Sequence, residues 1–79
     1  MDLVHCFAVN LRKYRTEKGY SQERLAEMAG LHRTYISALE RERRNISIEN
    51  VQRIADALGI KAFLLFVSEE DSPNCGEVN

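Results

Sequence analysis

The twenty residues from Gln22 to Arg41, QERLAEMAGLHRTYISALER, decide the fold. Two short helical patterns meet there across Gly30 and Leu31. Leu25, Ala26, Met28 and Ala29 make the buried face of the first, and Ile36 and Leu39, at i and i+3, the inner face of the second. So short a link forces two helices to cross at a large angle, as in a helix-turn-helix. Ala26, fifth in the window, is small where two backbones must approach. Gly30, ninth, supplies the positive φ of the turn. Leu31 then turns inward. Any one of these features alone is weak, but together at this spacing they are specific.

Working outward, Val4, Phe7, Leu11 and Tyr14, with Leu3 beside them, predict an amphipathic first helix that closes at Gly19. Arg12, Lys13, Arg15 and Lys18 take its other faces. Ser21 suits the N-cap of the second helix, with Glu23 in the first turn, where the helix dipole favours an acid. The third helix begins near His32 or Arg33. His32 is a poor cap, so the first amides fall to Thr34 or the loop backbone. Arg43 to Ile46 is a polar loop, and Ser47 caps a fourth helix with the stripe Val51, Ile54, Ala55 and Leu58, closed by Gly59. IKAFLLFV, residues 60–67, has one charge among apolar residues and predicts a fifth helix capping the core. Periodicity alone leaves a strand open, but no other strand is expected to pair with it. The fold expected is all-α, a compact five-helix domain over 1–67 followed by an acidic flexible tail over 68–79.

A chain of 79 residues is one domain with a thin stability margin. One Pro and four Gly leave little room for strands and turns. No apolar run approaches the ~18–20 residues that span a bilayer, and MDLVHCFAVNLRK lacks the pattern of a secretory leader, so a cytoplasmic protein is expected. Cys6 and Cys75 are expected as thiols in that compartment. The net charge of −1 hides an asymmetry: residues 69–79 hold four acids and no base, while residues 1–68 hold all eleven Lys and Arg against the other eight acids. A folded part with a surplus of three positive charges attracts phosphates whatever the total.

If Ile36 and Leu39 face inward, then Arg33, Thr34, Ser37 and Arg41 share outward faces. Arg33, at the helix start, can reach a guanine edge through two hydrogen bonds, and Thr34 and Ser37 can donate, accept or meet a thymine methyl. Tyr35 is large enough to bridge a base step and a phosphate, or else packs part-buried. Arg43, Arg44, Asn45 and Ser47 follow in a loop placed to run over the adjacent backbone. With Glu40 and Glu42 interleaved, the same arginines would also suit an ordinary solvated face; the turn pattern favours the DNA reading. His5 and His32 read as surface or capping residues. No Cys or His spacing suits a metal, and no nucleophile motif or glycine-rich phosphate loop suits an enzyme, so no cofactor and no catalysis are expected.

The stretch SQERLAEMAGLHRTYISALERERRNIS resembles the helix-turn-helix DNA-binding domains of the XRE/Cro-repressor family. HRTYIS followed by ER and RNIS is similar to the controller proteins of restriction–modification systems. The resemblance covers about residues 7–66. It implies a homodimer whose third helices lie in the DNA major groove. It further implies binding at paired sites, an imperfect palindrome ahead of the protein's own promoter, with activation followed by repression and RNA polymerase as a candidate partner. It carries Arg44 into base reading alongside Arg33, Thr34, Tyr35 and Ser37. It makes Gln22 a phosphate contact, with Arg41, Arg43, Asn45 and Ser47 on the backbone. It matches Arg15 and Glu40 to an architectural salt bridge. The family often has Gly where this chain has Glu42 and Pro where it has Ile46; Glu42 would repel phosphate unless the loop turns it away. The apolar excess at 63–67 and the start of the fourth helix place Ile46, Ile48, Val51, Leu64 and Phe66 at the dimer interface. A DNA-binding antitoxin whose acidic tail meets a basic partner is an alternative, as is a helical protein-interaction domain with no DNA role.

Overall fold

In the computed structural model, residues 2–68 are described. The acidic tail beyond Ser68 and Cys75 lie outside them. The described residues hold no strand. Four α-helices follow in order, α1 (Leu3–Glu17), α2 (Gln22–Ala29), α3 (Arg33–Glu40) and α4 (Ile48–Leu58), and then a 3₁₀ turn at Ala62–Phe66. The expected fifth α-helix is thus corrected to a single 3₁₀ stretch. The five residues Ala62–Phe66 are too few for a self-supporting α-helix, and the tighter turn buries Leu65 alone among them.

The helix starts follow local chemistry. Ser21 Oγ accepts from the Arg24 amide at 2.9 Å and Ser47 Oγ from the Asn50 amide at 3.1 Å. Asp2, a cap the sequence reading did not single out, accepts from the amides of Val4 and His5. His32 offers no side-chain cap. Its carbonyl, rather than Thr34, serves the amides of Tyr35 and Ile36.

All four helices close in one way. An amide two or three residues past the helix reaches the carbonyl five back: Tyr20 to Arg15, Leu31 to Ala26, Arg43 to Ala38 and Ile60 to Ala55, at 2.8–3.0 Å. The motif needs a left-handed residue at the turn. Glycine supplies it three times; at the end of α3 Glu42 does, at φ 61°. Gly30, at φ 74°, joins α2 to α3 and lets Ala26 and Ala29 seat α2 closely in the core.

The core is one cluster: Phe7 and Leu11 of α1, Leu25, Ala26 and Ala29 of α2, Ile36 and Leu39 of α3, Val51, Ile54, Ala55 and Leu58 of α4, and Leu65. Leu31, Tyr35, Ile46 and Phe66 pack part-buried against it. Leu3, Val4 and Met28, expected inside, are instead 56, 40 and 39% exposed. Among the described residues none closes over Leu3 and Val4, and the fully buried stripe of α2 is only Leu25, Ala26 and Ala29 wide. Asn10 is buried among apolar residues because its Nδ2 donates to the carbonyls of Leu65 and Val67 at 3.0 and 2.9 Å, tying the 3₁₀ turn to α1.

Candidate nucleic-acid interface

Helix α3 is anchored from below. Ile36 and Leu39 are buried at 0 and 2% exposure, which turns Arg33 and Thr34 out to solvent at the helix start. Ser37 and Tyr35 sit half-buried along the same helix, and Arg41, Arg43, Arg44, Asn45 and Ser47 are exposed beyond its end. Four arginines are thus exposed, Arg33 at the start of α3 and Arg41, Arg43 and Arg44 just past its end.

The end of α3 is locked by Glu40, whose side chain is wholly shielded from solvent. Arg15 grips it with two donors, Nε to Oε2 at 2.6 Å and Nη2 to Oε1 at 3.1 Å, while Nη1 donates to the Tyr20 carbonyl at 2.8 Å. Arg12 Nε and Gln22 Nε2 add contacts to Oε1 at 3.4 and 3.0 Å. Burial pushes the Glu40 carboxyl up, but the Arg15 hydrogen bond, supported by Gln22 and Arg12, outweighs it and holds the group below the usual carboxylate range. The network joins α1, α2 and α3, so it fixes how the helix-turn-helix sits on the rest of the molecule. Gln22, expected at phosphate, also takes part in this network, its amide nitrogen donating inward to Glu40.

Tyr35 is likewise engaged. Its hydroxyl accepts from Asn50 Nδ2 at 3.1 Å and donates to the Asn45 carbonyl at 3.4 Å. The Arg44 guanidinium lies 5.2 Å from its ring centroid, within cation–π range. Glu42, the interleaved acid, is drawn away from the arginines: His5 Nδ1 of α1 lies 2.8 Å from its Oε2. That hydrogen bond raises the His5 pKa, with the charge of Glu42 adding to it. Ser47 Oγ is occupied as the α4 cap and stays exposed. Asn10, Asn50 and the His5 partnership were missed in the sequence; only an isolated polar residue within an apolar stripe hinted at the first.

An apolar groove runs beside this face, lined by Leu3, Val4, Phe7, Ile46, Ile48, Val51 and Phe66, with Leu39, Arg44 and Asn45 at its borders. Ile48 is 87% exposed. Of the five interface expectations, Ile46, Ile48, Val51 and Phe66 line this groove. Val51 is 8% exposed and also belongs to the hydrophobic core. Leu64 is half-buried and does not line the groove; Leu3 and Val4 do. Among the described residues no cluster of His, Cys, Asp and Glu suits a metal ion, and no helix is long and apolar enough to cross a membrane.

A helix-turn-helix family model matches residues 11–65. A hypothetical transcription factor of Neisseria meningitidis is 46% identical over 70 residues, covering 89% of this chain and 66% of that protein. Its solved structure matches with a TM-score of 0.85, over 89% of this chain and 80% of that one. The control protein C.SmaI of Serratia marcescens is 47% identical over 73% of this chain and 69% of its own length. The crystal structure of the restriction–modification controller protein C.AhdI of Aeromonas hydrophila matches with a TM-score of 0.78 at 44% identity, over 80% of this chain and 96% of that one. By sequence and by fold the chain belongs to the XRE-type helix-turn-helix family of transcription regulators, and its homologues there include restriction–modification controller proteins.

Proposed function

We propose that the protein is a homodimeric, sequence-specific DNA-binding regulator of the controller type, which activates and then represses from operators near its own promoter. The observation that carries this is the exposed arginine surface of α3 and its loop, rigidly mounted on the buried Glu40 network, in a chain 44–47% identical to two controllers. Arg33, Thr34 and Ser37 read bases from α3, with Arg44 and Tyr35 acting from the loop side. Arg41, Arg43, Asn45 and Ser47 contact the phosphate backbone, with Gln22 at its edge. Self-association across the groove around Ile48 removes exposed apolar surface. It sets two α3 helices about one DNA turn, ~34 Å, apart, which calls for an imperfect palindrome. A cytoplasmic location, RNA polymerase as the partner in activation, and the absence of any catalytic step complete the proposal.

Gel-shift titration tests it, using DNA from upstream of the protein's own gene against scrambled DNA at two salt concentrations. Tight, cooperative binding that prefers the upstream DNA and weakens steeply with salt is expected. Equal binding to both duplexes overturns sequence-specific regulation. Preference without salt sensitivity overturns the arginine–phosphate assignments.

A further inference from the structure

We propose that Asn50 is a positioning residue for DNA reading: through the Tyr35 hydroxyl it sets the place of the 41–47 loop and of the Arg44 guanidinium. This rests on the reading of the protein as a sequence-specific DNA binder. Arg44 sits on an irregular loop and is exposed, so nothing in its own backbone pattern fixes its head. What holds it comes from α4. The Asn50 amide is capped by Ser47 Oγ, which secures the first turn of α4, and the half-buried side chain then donates from Nδ2 to Tyr35 Oη at 3.1 Å. The Tyr35 hydroxyl donates onward to the Asn45 carbonyl at 3.4 Å, and Arg44 stacks over the Tyr35 ring.

The direction of these bonds matters. An amide NH₂ can only donate, so the tyrosine oxygen must accept from it, and the phenolic hydrogen is left for the loop carbonyl. An acceptor at position 50 would draw that hydrogen toward itself and release the loop. Gly30, His32, Thr34, Tyr35, Arg44 and Asn50 line one open depression, so the chain of contacts lies between the start of α3 and the loop, where both face DNA. A two-bond base contact tolerates little displacement. Loss of Asn50 therefore degrades discrimination between bases more than it degrades attraction to phosphate.

The test compares the full-length wild type with Asn50→Ala, Asn50→Asp, Tyr35→Phe and the double variant Asn50→Ala/Tyr35→Phe. Each is titrated with the upstream duplex and a scrambled duplex of equal length. Asn50→Ala should lower the specificity ratio about 3- to 10-fold, the scale of one hydrogen bond, with scrambled-DNA affinity held within about 2-fold. Asn50→Asp should not restore the ratio. The double variant should lose no more than Tyr35→Phe alone, since both act through one hydroxyl. In the free protein, the backbone NMR order parameters of Arg44, Asn45 and Ile46 should fall in Asn50→Ala while those of α1 and α2 stay unchanged. Equal loss on both duplexes, additive effects in the double variant, or unchanged loop order parameters would each overturn the proposal. A wild type that does not distinguish the duplexes refutes the DNA reading beneath it, and the order parameters then decide alone whether Asn50 holds the loop.

Discussion

Glu42 stands where the other three helix ends have glycine, and its replacement by Gly and by Ala measures what that costs. At Gly19, Gly30 and Gly59 the turn residue has φ between 71 and 76°, and Glu42 adopts 61° in the same hydrogen-bonded closure. A left-handed conformation costs an L-residue about 1–2 kcal/mol. Glycine escapes this but has more freedom to lose from the unfolded chain, an offset of about 0.4–1 kcal/mol. Glu42→Gly should therefore be more stable than Glu42→Ala by roughly 0.5–1 kcal/mol. For a domain of this size that is about 2–8 °C in Tm. Both variants lack the carboxylate, so the His5 contact cancels from the comparison. Thermal unfolding followed by circular dichroism reads the difference directly. An alanine variant as stable as the glycine variant would refute the backbone reasoning. The pair also isolates the side chain. The His5 pKa is raised in the folded state, so the stabilisation from the His5–Glu42 contact is complete below the ordinary imidazole value near pH 6.5 and is lost as pH rises through the raised value. The advantage of the wild type over Glu42→Ala should accordingly shrink as the pH rises above about 6.5.

Glu40→Gln leaves Arg15, only 13% exposed, without its counter-charge and should cost about 3–5 kcal/mol in urea unfolding. That is a large share of the ~4–12 kcal/mol expected for a chain of this length, and a loss under about 1 kcal/mol would show the network to be dispensable. Because the folded pKa of Glu40 is lowered, its contribution is complete above about pH 4.3 and disappears as pH falls through the folded value; a stability profile flat between pH 5 and 2 would contradict this. Arg33→Ala should cost ~1–3 kcal/mol and relax preference at one base position; uniform weakening on all sequences would make Arg33 a phosphate contact. Ile48→Glu places a charge in the apolar groove and should give monomers in sedimentation with loss of tight DNA binding, whereas an unchanged mass would move the interface elsewhere.

Helix boundaries were legible in the sequence because their causes are local. A serine accepts the amide three residues on, a glycine closes the turn behind it, and Val51, Ile54, Ala55 and Leu58 recur with the helical period. The turn between α2 and α3 was legible for the same reason, as were the outward arginines once Ile36 and Leu39 were set inward. The missed features depend on contacts distant in sequence. Asn10 is buried because carbonyls 55 and 57 residues away need a donor. Glu42 is engaged because His5, 37 residues earlier, lies beside it. Gln22 points inward because Glu40 is there, and Val4 is 40% exposed because none of the described residues closes over it. Local chemistry thus determined where each helix begins and ends and which face is apolar. The packed structure alone decided which polar groups are left exposed and unengaged, since a side chain's availability depends on partners that only folding brings near.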